Sequence, residues 1–161
     1  IFAKKAYDQR QRNYARQVWK KDTVYTPQFV VDTKEYRRWF QFQDLPTFKN
    51  EYAGNLNINF DNKNNLTINY HNKNIKNKDI IINIALSGLD YSIPIKKGEN
   101  AHKILKHDFV VLEHLKNSAK IKNNNLKYKT KIYPEDKIKQ ALVVWISDKN
   151  HNQLQAVAGY L

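Results

Sequence analysis

None of the 161 residues is cysteine, so any chemistry must come from histidines, carboxylates, hydroxyls and cations. Disulfides, thiolate nucleophiles and zinc–thiolate sites are excluded within this chain. His102, His107 and His114 lie close together, with Glu99, Asp108 and Glu113 among them. Neutral imidazoles and carboxylates are zinc ligands, but neither H-x-x-x-H nor H-E-x-x-H spacing occurs. No metal site and no cofactor are therefore expected. Ser87 and Ser92 lack a G-x-S-x-G context, and four glycines form no phosphate-cradling loop. No catalytic residue is assigned. Gly98, Glu99 and Asn100, with His107 beyond them, form a candidate loop site. The competing reading is a turn, with Gly98 at positive φ and Asn100 bonding the backbone. The sharpest local signal is Tyr25-Thr26-Pro27-Gln28, which runs directly into Phe29-Val30-Val31-Asp32.

The elements around these residues follow from periodicity. Ala3, Tyr7, Tyr14 and Val18 recur at helical spacing, which predicts a helix over 3–19 that Lys20, Lys21 and Asp22 end. Phe29 to Asp32 and Glu35 to Phe42 read as strands. Trp39, Phe40 and Phe42 beside Arg37 and Arg38 read as strand core rather than a stacking site. Asp44 and Pro46 open a short helix toward Tyr52. Near residue 53 the texture changes. Leu56, Ile58 and Phe60, then Leu66, Ile68 and Tyr70, alternate with polar residues around the turn 61–65, which predicts a hairpin. Further strands are read at Ile80–Leu86, Tyr91–Ile95 and Leu126–Ile132. Ala141–Ile146 and Leu154–Tyr160 make a last pair. The stretch 101–116 fits helix and strand templates alike and is read as strand. Short strands with regular turn signals predict an antiparallel sandwich.

The apolar share is 41% and the aromatic share 12%, enough for a packed core. The longest apolar run, Ala141 to Ile146, is far short of the roughly 20 residues that span a bilayer. The formal charge is +13, which admits a nucleic-acid binder. Lysines are spread along the chain rather than gathered in one stripe, and no nucleic-acid fold motif is present, so this reading ranks last.

Three blocks carry a resemblance. The first joins Gln9 to Ala15 with Val24 to Asp32. The second joins Lys97 to Ala101 with Leu105, His107, Val110 and Val111. The third runs from Ala141 to Ile146 and on to Ala156–Gly159. Together they resemble an uncharacterised family of secreted bacterial proteins, with a thioredoxin-like domain followed by a C-terminal β-sandwich. The resemblance implies an α+β fold, with residues 1–52 the end of a thioredoxin-like α/β domain and residues 53–161 the sandwich. It implies that Thr26–Pro27 is a cis-proline loop, with Tyr25, Thr26, Pro27 and Gln28 on the substrate side. It also implies a periplasmic or secreted location and thiol–disulfide exchange in an intact protein. The Cys-x-x-Cys portion is missing here, and Thr33 stands where the family has Gly. The chain begins at Ile1 without methionine and reads as a processed or truncated piece, redox-silent as it stands. The alternative is a non-catalytic module that binds an extended peptide or a protein.

Overall fold

The computed structural model describes residues 4–31, 33–41 and 53–161. One helix, α1 (Lys5–Gln17), precedes two short strands, β1 (Val30–Val31) and β2 (Lys34–Glu35), and a 3-10 turn at Arg38–Gln41. Nine strands follow: β3 (Asn55–Phe60), β4 (Asn65–His71), β5 (Lys78–Gly88), β6 (Tyr91–Pro94), β7 (Ile104–His107), β8 (Val110–Ile121), β9 (Asn125–Lys131), β10 (Gln140–Ser147) and β11 (Gln153–Tyr160).

Two sheets carry the structure. One has the order β11-β10-β5-β8 and the other β3-β4-β9, and every pairing is antiparallel. Alternation decides which side chains meet between them. Leu66, Ile68 and Tyr70 of β4 and Ile80, Ile82, Ile84 and Leu86 of β5 join Leu142, Val144 and Ile146 of β10 in one buried cluster. Branched aliphatics suit this half-buried pleat, and their removal from water is the main stabilising term. β6 and β7 form a separate hairpin.

The turns 61–65 and 148–152 share one device. In 61–65 the Asp61 carboxylate accepts from the backbone N–H of Lys63 and Asn65 and from the Asn65 side chain. In 148–152 Asp148 accepts from the N–H of Asn150 and Asn152 and from the Asn152 side chain. The fourth residue of each turn has positive φ, Asn64 at 63° and His151 at 66°. These bonds hold Asp61 and Asp148 below the usual carboxylate range, against the desolvation of Asp148.

This architecture corrects the expected α+β fold. The described chain is mostly β with antiparallel sheets, and no thioredoxin-like α/β pattern is present. Among the described residues β1 and β2 pair only with each other, because Thr33 at φ 64° turns the chain straight back after β1. The strand expected over Glu35–Phe42 is instead two residues of β2 followed by the 3-10 turn. Phe42 and the expected helix from Asp44 to Tyr52 lie outside the described residues, as do the side chains of Trp39 and Phe40. Within 101–116 the chain is strand at Ile104–His107 and again from Val110 onward, with a bend at 108–109 between them.

Ile68 is fully buried at the middle of the three-stranded sheet, opposite Ile58 and Tyr128. Ile68→Ala should cost about 2–5 kcal/mol. Chemical denaturation measures this, and a loss below 1 kcal/mol would show that the two sheets do not share a packed core there.

Candidate functional site

α1 lies against the outer face of the four-stranded sheet, but not as an ordinary amphipathic helix does. Such a helix turns an apolar stripe toward the sheet. Here the stripe spaced at three and four residues is Ala6, Gln9, Arg10, Asn13, Tyr14 and Gln17, and these residues line a cleft of about 370 Å³. Ala15, on the other side of the helix, is its buried residue.

The floor of the cleft is one row across the sheet. Asn83 of β5 stands opposite Trp145 of β10 on one side and Lys116 of β8 on the other. Asn83 is only 4% exposed, so its amide needs partners within the protein. Its Oδ1 lies 3.2 Å from Nε2 of His114, and its Nδ2 donates to Ser147 Oγ at 3.4 Å. With the Asn83 oxygen as acceptor, His114 carries its proton on Nε2. The His114 ring also stacks on Trp145, with 5.2 Å between centroids and 9° between planes.

Arg10 reaches in from α1. Its guanidinium lies 5.6 Å from the Trp145 ring centre and 5.9 Å from that of Tyr14, within cation–π range. The wall opposite α1 ends at the turn 148–152. His151 sits there at its positive φ, with Nε2 3.2 Å from Gln17 Oε1 and its ring beside Tyr14. A backbone conformation that histidine adopts at a cost thus directs an imidazole into the cleft.

The electrostatics have one sign. Arg10 and Lys116 line the cleft, and among the described residues no carboxylate does. Burial, then the charges of Arg10 and Lys116, lower the pKa of His114. Burial, then Lys116 and Arg10, lower that of His151, with Asp148 opposing. Desolvation lowers Arg10 as well. The cleft thus sets two cations beside two imidazoles that burial and those charges disfavour as cations. Asn83 stands between His114 and Ser147.

The residues expected from the sequence are placed elsewhere. The Thr26–Pro27 bond is cis, as expected. Its flanking side chains form a structural network: Gln28 Nε2 donates to Glu35 at 3.0 Å, and Gln11 of α1 donates to the Tyr25 carbonyl and to Gln28. Lys21 and Arg37 also bind Glu35, at 2.7 and 3.0 Å. These bonds, Lys21 first, hold Glu35 at about 2 despite burial. Gly98, Glu99 and Asn100 form the β6–β7 connection, where the Ala101 N–H donates to the Gly98 carbonyl and Lys103 to Asn100. Gly98 has φ 89°, in keeping with the turn reading. His107 pairs with Tyr91 in that hairpin. Of the three clustered histidines only His114 lines the cleft. Sequence reasoning missed Arg10, Asn83, Lys116, Trp145 and His151. Asn83 alone left a signal, as a polar residue inside an isoleucine run.

The fold and cleft define a two-sheet antiparallel β protein with a helix-walled polar site. The chain belongs to the family described as a protein of unknown function (DUF1223), matched over residues 1–147. No curated protein and no solved structure matches it. The resemblance to an uncharacterised family is thereby supported; the match carries neither a thioredoxin-like domain nor secretion.

Two pH effects follow. His114 and His151 are disfavoured as cations in the fold, so the unfolded chain binds more protons below their ordinary value near 6.5. Thermal stability should therefore fall as pH drops through 6.5, and His114→Gln should flatten that slope. Glu35 acts in the acid range. Its stabilisation is complete above its ordinary value of 4.5 and is lost as pH falls toward 2. Glu35→Gln should cost about 1–3 kcal/mol at neutral pH, read by denaturant titration. A variant as stable as the parent would remove the network's role.

Proposed function

We propose that this chain is a non-catalytic binding module whose cleft takes a small organic anion. The observation that carries the reading is the polar stripe of α1. A helix that brings Arg10 and three amides to a sheet face sacrifices apolar burial there, and a ligand offering oxygens would recover it. The volume and the single sign of charge fit a compact molecule with one or two carboxylate or phosphate groups and further hydroxyls. With His114 and Arg10 both against Trp145, recognition falls to Arg10, Lys116, His151 and the amides rather than to ring stacking. Binding would raise the histidine pKa values, so affinity should increase as pH falls from 8 to 6.

An extended peptide is the second reading. It is favoured by β11, an edge strand in which no residue from Gln153 to Leu161 is charged, since uncharged edges accept added strands. On the resemblance alone, the proposed location is periplasmic or secreted.

Thermal-shift and calorimetric titration with phosphate and a panel of small hydroxy-, sugar- and dicarboxylic acids tests the leading reading. At least one acid should raise the melting temperature at millimolar concentration. Arg10→Gln or Lys116→Gln should weaken it by about 10- to 100-fold. His151→Asn, which suits the positive φ, should keep the fold and lower affinity. No shift with any acid, or full affinity in Arg10→Gln, would overturn the proposal.

A further inference from the structure

The outer face of the three-stranded sheet carries a second pattern, independent of the cleft. Opposed residues across β3, β4 and β9 share this face. One row is Asn57, Asn69 and Lys127, and the next is Asn59, Thr67 and Lys129. Lys131 stands opposite Asn65 at the end of the sheet. The three lysines therefore alternate along one edge strand, about 7 Å apart, in a row roughly 13–14 Å long. All three are exposed, and none makes an ion pair or side-chain hydrogen bond among the described residues. Asp61, whose charge reaches Lys131, has its oxygens committed to the turn 61–65.

Beside the lysines the face is amide-rich. The side chains of Asn57 and Asn69 make no hydrogen bond among the described residues, and they line a shallow depression of about 300 Å³ that reaches Lys127. An asparagine side chain offers two donors and an acceptor, the complement of neighbouring sugar hydroxyls. A row of ammonium groups next to it complements regularly spaced negative charge. The remaining row of this face is Asn55, His71 and Asn125, and its one imidazole is bonded to the Asn125 side chain at 3.1 Å. No Phe, Tyr, Trp or Arg points from these three rows, so the face lacks the row of large stacking platforms by which single-stranded nucleic acids are held.

We infer that this face is a docking surface for an anionic polysaccharide, a chain carrying carboxylate or sulfate groups along with hydroxyls. Lysines 127, 129 and 131 hold the charges, and Asn57 and Asn69 hold the hydroxyls. The chain lies across a flat, solvated sheet rather than in a pocket.

Affinity for heparin, polygalacturonate, uncharged dextran and single-stranded DNA, measured at low and physiological salt, tests the inference. The protein should bind the first two and not dextran. K127Q/K129Q/K131Q should lose about tenfold or more at low salt, with a flatter salt dependence. K96Q/K97Q/K106Q removes the same charge from exposed sites elsewhere and should lose less than about threefold. N57A/N69A should weaken both glycans and leave DNA binding unchanged. Arg10→Gln should alter neither, which separates this face from the cleft. Equal loss in the two lysine triples would reduce the binding to net charge and overturn the inference. So would full glycan affinity in N57A/N69A, DNA binding as tight as glycan binding, or no glycan binding at low salt.

Discussion

A side-chain amide buried in the middle of a sheet constrains much of this molecule. Strand β5 is covered on both faces from Ile81 to Gly88. Its inner residues meet the second sheet, and that apolar contact is what any two-layer β protein requires. Its outer face includes Asn83, whose amide is only 4% exposed. The bonds to His114 and Ser147 answer that requirement, and they tie β5 to both of its neighbours. The same bonds orient the imidazole that stacks on Trp145. The floor of the cleft is thus arranged by the need to satisfy one buried polar group.

The helix answers to the sheet rather than to its own amphipathicity. α1 makes little apolar contact with the face it overlies, so its position depends on polar and aromatic contacts at its ends. Lys4 donates to the Leu112 carbonyl, and Gln17 pairs with His151. On its other side Gln11 holds the loop at Tyr25, and Trp19 donates to the Thr33 carbonyl at 2.7 Å. The cis-proline loop and the Glu35 network thereby brace the helix. The segment Tyr25–Gln28 supports one wall of the cleft.

The expectation of an α/β fold has a physical source. Thr-Pro before two valines, with a helix upstream, is locally consistent with a sheet-centred α/β domain. Whether a short valine strand joins a large sheet depends on the residues after it. Here Thr33 takes a positive φ and the chain returns within two residues, so the pairing closes on itself. His102, His107 and His114 are dispersed for a related reason. Successive side chains on a strand face opposite ways, and a turn separates β7 from β8, so neighbours in sequence need not meet in space.

Much of the β architecture was determined by the sequence alone. Alternation of Leu66, Ile68 and Tyr70, or of Ile80, Ile82, Ile84 and Leu86, has a period of two that only a strand with one face toward a core satisfies. The turns at 61–65 and 148–152 were legible as Asp-, Asn- and Lys-rich stretches between alternating strands. The helix was legible from its spacing. Only the tertiary structure decided the site. Arg10, Asn83, Lys116, Trp145 and His151 come from a helix, three strands and a turn spread over more than 140 residues, and no local spacing links them. The lowered pKa values of Arg10, His114 and His151 are properties of distance and burial, which come into being only when the helix is laid on the sheet.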